Sequence, residues 1–158
     1  MARFRTTQIT HAPARRALDH FADFASVADW DPGISQAHLL SGEPGQVGAR
    51  YQVTVTLGPR RIPLEYVVVD RVDPLESEPG HVVLVAEAGS FTSHDTITVS
   101  PTPTGTEVEY DAILTLHGLG RFMDWPMDRA FQVIGRRAEQ GLRQALVDLA
   151  DAEQAHPE

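Results

Sequence analysis

Two hydrophobic periods divide this chain, and the point where one replaces the other limits the possible folds more than any other feature. Between residues 50 and 116 apolar side chains recur at every second position, the period of half-buried strands. From about Arg121 to Asp151 they recur at three and four, the period of a one-sided helix. Arg50–Leu57 alternates cleanly, with Tyr51, Val53, Val55 and Leu57 on one face and Arg50, Gln52, Thr54 and Thr56 on the other. After a turn at Gly58-Pro59, Ile62–Val72 places Leu64, Tyr66 and Val68 inward, with Glu65 and Arg71 on the opposite face. His81–Glu87, Phe91–Val99 and Thr106–Leu116 complete the run, separated by turn signals at Pro79-Gly80, Gly89 and Pro101 to Gly105. In the last of these, Val108, Tyr110, Ala112, Leu114 and Leu116 face one way and Glu107, Glu109, Asp111 and Thr115 the other.

Beyond the strands, Phe131, Ile134, Ala138, Leu142, Ala145 and Leu149, with Leu146 beside them, make one apolar stripe. A continuous helix of about 30 residues would span roughly 45 Å. Pro126 argues for a kink or restart near Trp125. Gly135 and Gly141 each weaken a helix by about 1 kcal/mol relative to alanine. They are tolerable where a sheet or a ligand must come close.

The first fifty residues read as strand, helix, helix, strand. Arg3–Thr10 is the strand, and Pro13 suits the first turn of a helix. Leu18, Phe21 and Ala25, flanked by Ala17 and Phe24, give that helix one apolar side. Ser26 followed by Asp29 resembles a capping box for a second, short helix that ends near Asp31-Pro32-Gly33. Ile34–Leu40 is a weak strand closed by a loop with Gly42, Gly45 and Gly48. The order is therefore strand, two short helices, about six antiparallel strands and one long helix. A single helix over a strongly bent sheet is hard to pack completely, and a cavity can remain.

At 158 residues the chain makes one domain, residues 1–151, with a frayed tail over 152–158. The net charge of −9 repels phosphate backbones, so nucleic acid is not an expected partner. Cysteine, lysine and asparagine are absent, which removes disulfides, thiolate and Schiff-base chemistry and N-linked glycosylation. No apolar run reaches the roughly 18–20 residues of a membrane span, and the N-terminus lacks a signal-peptide core. A soluble cytoplasmic protein, monomer or homodimer, is the expectation.

Three stretches carry a resemblance to a known family. They are Trp30-Asp31-Pro32-Gly33-Ile34; Gly48-Ala49-Arg50-Tyr51; and His94-Asp95-Thr96-Ile97 with Gly105-Thr106-Glu107-Val108-Glu109-Tyr110-Asp111-Ala112 and Leu114-Thr115-Leu116-His117-Gly118. With Phe131, Gly135 and the Gly141-Leu142 pair in the following helix, the chain resembles the START-like (SRPBCC) superfamily. The nearest likeness is to its polyketide cyclase/dehydrase and lipid-transport branch. The resemblance implies an α+β helix-grip fold, in which a curved antiparallel sheet of about six to seven strands wraps around a long C-terminal helix. It also implies a hydrophobic cavity between the two, with Trp30 at its mouth, and a small hydrophobic or aromatic ligand, polyketide- or lipid-like. The branch has no universal catalytic signature.

Among residues that could carry chemistry, Asp95 stands out, because alternation sets it with Phe91, Ile97 and Val99 on the apolar side of its strand. A buried carboxylate must be paired, hydrogen-bonded or protonated. It can act as a general acid/base or anchor a ligand hydroxyl or carbonyl; alternatively it pairs with an arginine or reaches solvent. Tyr51, Tyr66 and Tyr110 all fall on inward faces, where phenols orient a ligand or simply fill core. His20, on the first helix, is a further acid/base candidate, or a boundary histidine. The candidate catalytic set is thus Asp95, Tyr66 and His20. Val53, Phe91, Ala112 and Leu114 line the sheet side of the expected cavity. Phe131 and Ile134 line its helix side, and Phe122 and Met127, near Met123 and Trp125, form an adaptable entrance or a helix-start cluster. No histidine spacing suits a metal, and no phosphate loop or nucleophile elbow is present, so no cofactor or metal is expected. Arg60-Arg61 and Arg136-Arg137 read as solvated charges. A binding or carrier protein, a polyketide cyclase/aromatase or dehydratase using positional and acid/base catalysis, and a ligand-sensing interaction module all fit this pattern.

Overall fold

The computed structural model describes residues 1–57, 59–89, 91–117 and 139–152. Chain order is β1 (Ala2–Thr10), α1 (Ala14–Ala22), a single 3-10 turn (Phe24–Ser26), α2 (Val27–Trp30) and β2 (Ile34–Ser41). It continues through β3 (Arg50–Leu57), β4 (Arg60–Val72), β5 (Gly80–Ala88), β6 (Phe91–Thr102) and β7 (Gly105–Leu116). Residues 139–152 form the described part of a C-terminal helix, α3. No helix among the described residues is long and apolar enough to cross a membrane.

The seven strands make one antiparallel sheet in the order β1-β7-β6-β5-β4-β3-β2. Each hairpin from β2 to β7 pairs with its sequence neighbour, and β1 closes the far edge against β7. Cross-strand partners share a face, so the register defines an inner wall. Tyr51 faces Tyr66, Tyr66 faces Ala86, Ala86 faces Ser93, and Leu84 faces Asp95, which faces Ala112. These positions are all buried, as are Leu18 and Phe21 of α1 and Leu142 and Leu146 of α3. The outer face carries charge: Arg3 and Arg5 of β1 pair with Asp111 of β7.

Helix α3 is tied to β1 and lies against the end of α2. The Thr10 hydroxyl donates to the Leu146 carbonyl at 3.0 Å. At Gly141 the α3 backbone lies on the Trp30 carbonyl, and a Cβ there would fall 1.7 Å from that oxygen. Alternation of the middle strands and the helical period at 139–152 are thus realised, and the helix-breaking glycine marks a close approach.

Several local expectations are corrected. Helix α1 stops at Ala22, so Ala25 belongs to the following turn; Asp23 leaves helical geometry and its side chain accepts the Ala25 N–H at 3.4 Å. Pro13 is the N-cap of α1 rather than its first residue. The capping box does not form, because the Ser26 hydroxyl donates instead to the His20 carbonyl at 3.0 Å. The Pro101 to Gly105 turn narrows to Pro103-Thr104, since Thr102 pairs with Gly105. Gly105 has a φ of +148°, and a Cβ there would sit 2.1 Å from the Thr10 carbonyl oxygen. Arg71 does not share the outer face with Glu65. A register shift between Val68 and Asp70 brings Arg71 opposite the buried Val82, since one extra residue reverses every later side chain. The Arg71 side chain is only 5% exposed and reaches Asp19 of α1 and Asp73. The expectations for residues 121–138 lie outside the described residues.

Candidate functional site

The inward row of β6 runs Ser93, Asp95, Ile97, Val99, all buried. Asp95 is 3% exposed and its cross-strand neighbours, Leu84 and Ala112, are apolar. One carboxyl oxygen, Oδ1, accepts from the Ser93 hydroxyl at 2.9 Å; the other, Oδ2, accepts from the Tyr110 hydroxyl at 3.1 Å. The described arginines form their ion pairs elsewhere: Arg3 and Arg5 with Asp111, Arg15 and Arg71 with Asp19 and Asp73, Arg50 with Glu65. The expected alternatives for Asp95, an arginine partner or solvent, are therefore not what the described residues provide. Burial pushes the Asp95 carboxyl up to about 7; its two hydroxyl donors oppose the rise, and the negative charges of Asp31 and Asp111 add to it.

Tyr66 approaches from β4. The small Ala86 between Tyr66 and Ser93 in the register leaves its ring room to lean toward β6. Burial holds the Tyr66 phenol well above its ordinary value, the Asp95 charge adds to this, and the Ser93 side chain opposes it. Tyr110 is pushed well up for the same first reason, burial, and then by Asp95. Neither phenol ionises near neutral pH, and Tyr110 acts as a donor to Asp95.

A second acid enters from the helical side. Asp31, directly after α2, is 8% exposed. Its Oδ1 accepts the Gly33 N–H at 2.8 Å, an Asx turn that ends the helix. Burial pushes its carboxyl up to about 6, with the Gly33 hydrogen bond opposing. Trp30, one residue earlier, is 2% exposed, which suits a packing anchor for the short helices. Its ring meets Tyr110 edge-on at 5.5 Å and Phe21 edge-on at 5.9 Å. Its indole Nε1 is buried without a hydrogen-bond partner among the described residues.

The other expected residues separate from this cluster to different degrees. The Tyr51 hydroxyl accepts the Gly45 N–H at 2.8 Å, so this phenol holds the β2–β3 loop. Val53 is buried opposite Leu64, Ala112 is buried opposite Asp95, and Phe91 and Leu114 are partly buried. His20 lies half-buried and edge-on to Phe21 at 4.9 Å. Burial lowers its pKa, and its charged neighbours Asp29 and Asp23 oppose the shift; no described contact joins it to Asp95. Phe122, Met127, Phe131 and Ile134 lie outside the described residues. Ser93 and Asp31 were not anticipated. Ser93 was open to the alternation that picked out Asp95, whereas Asp31 read only as part of a helix stop.

The assembled group is a buried carboxyl poised to gain or lose a proton near neutrality, two phenols, a serine, a second acid and an indole on an otherwise apolar wall. The model for polyketide cyclase/dehydrase and lipid-transport proteins matches residues 1–150. The chain belongs to this family. Proteins of known structure share its fold at low identity. A START superfamily protein from Mycobacterium smegmatis is 13% identical with a TM-score of 0.69, covering 99% of this chain and 100% of its own. A STAR-related lipid transfer protein fragment from Xanthomonas axonopodis is 13% identical with a TM-score of 0.68, covering 91% and 85%. A major latex-like protein from Panax ginseng is 12% identical with a TM-score of 0.64, covering 92% and 97%. No curated protein sequence matches. At such identities the likeness establishes the START-like helix-grip fold of the family, a curved sheet gripping a C-terminal helix.

Proposed function

We propose that this protein binds a small hydrophobic or aromatic molecule, polyketide- or lipid-like, between the inner wall of the sheet and the C-terminal helix. The observation that carries this reading is Asp95. A carboxyl buried among Leu84, Ala112 and Ile97 is unfavourable as mere packing, because an apolar residue of similar size would serve as well or better. Its place at the centre of an apolar wall suits a polar anchor for a ligand. The family supports the same reading, since its description joins cyclases, dehydrases and lipid transport. Native mass spectrometry of the purified protein and displacement of a hydrophobic fluorescent probe test it. Retained apolar ligand or saturable displacement is expected; failure to bind any apolar compound would defeat it.

A second reading, catalysis as a polyketide cyclase/aromatase or dehydratase, is favoured by one observation. The Asp95 carboxyl, at about 7, has the proton affinity that suits acid and base roles at neutral pH. Tyr66 and Tyr110 would stabilise a developing enolate oxygen beside it. In that case Asp95→Asn abolishes turnover and leaves ligand affinity within a few-fold. Unchanged turnover removes Asp95 from the chemistry.

A further inference from the structure

Among the described residues the interior holds a buried donor with no acceptor beside a buried carboxyl, which narrows the chemistry of its ligand. This inference rests on the interior site proposed above. Ser93 and Tyr110 already donate to the two oxygens of Asp95. Asp31 is engaged by the Gly33 N–H. Trp30 Nε1–H is enclosed and meets no acceptor among the described residues, and an indole nitrogen can only donate. The charge of Asp31 opposes ionisation of Asp95. When Asp95 is neutral, its own O–H becomes another donor. The indole is tied to this cluster through Tyr110, whose ring it meets edge-on and whose hydroxyl ends on Asp95.

We propose that Trp30 Nε1–H and the Asp95 carboxylic acid recognise acceptor oxygens on the ligand, so that the site selects a carbonyl-bearing apolar molecule over a hydrocarbon or an amine of the same shape. A hydrocarbon would leave both donors unmet in a dry interior. A protonated amine would pair with an ionised Asp95 but bring further donors to an indole that lacks an acceptor.

Three naphthalenes of one skeleton test this by calorimetry and NMR on the full chain near pH 6: 2-acetylnaphthalene, 2-ethylnaphthalene and 1-(2-naphthyl)ethylamine. The ketone is expected to bind about tenfold more tightly than the ethyl compound. The chain has two tryptophans, so a Trp125→Phe protein leaves the Trp30 indole N–H as its single indole resonance and assigns it in the wild type. That resonance is expected to shift downfield with the ketone and not with the hydrocarbon. Trp30→Phe, which keeps an aromatic ring, is expected to erase the ketone's advantage and retain ethylnaphthalene binding. If that variant does not fold, the wild-type resonance decides. Equal binding of ketone and hydrocarbon, tightest binding of the amine, or a Trp30 resonance unmoved by bound ketone overturns the inference and leaves the interior site intact. If none of the three binds while a hydrophobic fluorescent probe is still displaced, this inference fails and the interior site stands; if the probe does not bind either, both fail.

Discussion

Tyr110 on β7 donates its hydroxyl to Oδ2 of Asp95 on β6 at 3.1 Å, across a diagonal of the sheet in which Asp95 faces Ala112 and Tyr110 faces Ile97. A diagonal neighbour lies within reach only of a long side chain, and the phenol supplies it. The bond stabilises the ionised carboxylate and so opposes the rise that burial imposes. Tyr110→Phe is therefore expected to lift the Asp95 titration further above about 7, read from the carboxyl carbon by NMR. A midpoint that stays in place or falls contradicts this assignment.

Stability should depend on pH in an unusual direction for an acidic protein. Asp95 and Asp31 have folded values of about 7 and about 6 against an ordinary 3.8. The folded state then binds more protons than the unfolded state between those limits. Their contribution is complete below about pH 4 and is lost as pH rises through 6 and 7. His20, lowered by burial, acts in the opposite direction near pH 6.5, so a difference between two proteins isolates the effect. The stability of Asp95→Asn relative to the wild type should rise steadily between about pH 4 and pH 8, by on the order of a few kcal/mol. Parallel Tm profiles for the two proteins would refute this.

Gly141→Ala should destabilise the protein despite alanine's advantage of about 1 kcal/mol inside a helix. The new methyl would overlap the Trp30 carbonyl oxygen, at 1.7 Å, and both partners are backbone. A loss of at least about 2 kcal/mol in denaturant unfolding is expected. Gly89→Ala is the control, since a Cβ there meets nothing within 4 Å; its effect should stay within about 0.5 kcal/mol.

Arg71 links three segments. It donates to the Gly45 carbonyl at 2.8 Å and to Asp73 at 2.9 Å, and it pairs with Asp19. Asp19 is well exposed, so the carbonyl bond and the packing of the buried arginine dominate. Arg71→Ala is expected to lower stability by about 2 kcal/mol and to speed hydrogen exchange at Gly45 and Gly48, with the Asp95 titration unchanged. Unaltered exchange in that loop would show that Tyr51 alone holds it.

Alternation alone was enough to turn Asp95 inward and His94 outward and to set Tyr51, Tyr66 and Tyr110 on one wall. It failed at Arg71, because a bulge adds one residue and a period-two count carries no trace of it. Ser26 was misread because a capping serine and a serine bonding back to a helix carbonyl occupy the same kind of sequence. Asp31 shows a deeper limit. Asp-Pro-Gly announces a turn, but only the packing around it makes that aspartate a buried acid. The close approach of the α3 backbone at Gly141 to the Trp30 carbonyl is likewise a tertiary contact, of which the helical period shows only the tolerated glycine.

The two buried acids belong to different parts of the architecture. Asp95 is woven into the middle of the sheet, whereas Asp31 rides at the end of a four-residue helix. Any displacement of that small helix alters the electric field at Asp95 without touching it. The proton occupancy of Asp95 thus answers in part to a charge carried by a separate element, and an infrared or NMR probe of that one carboxyl would read it.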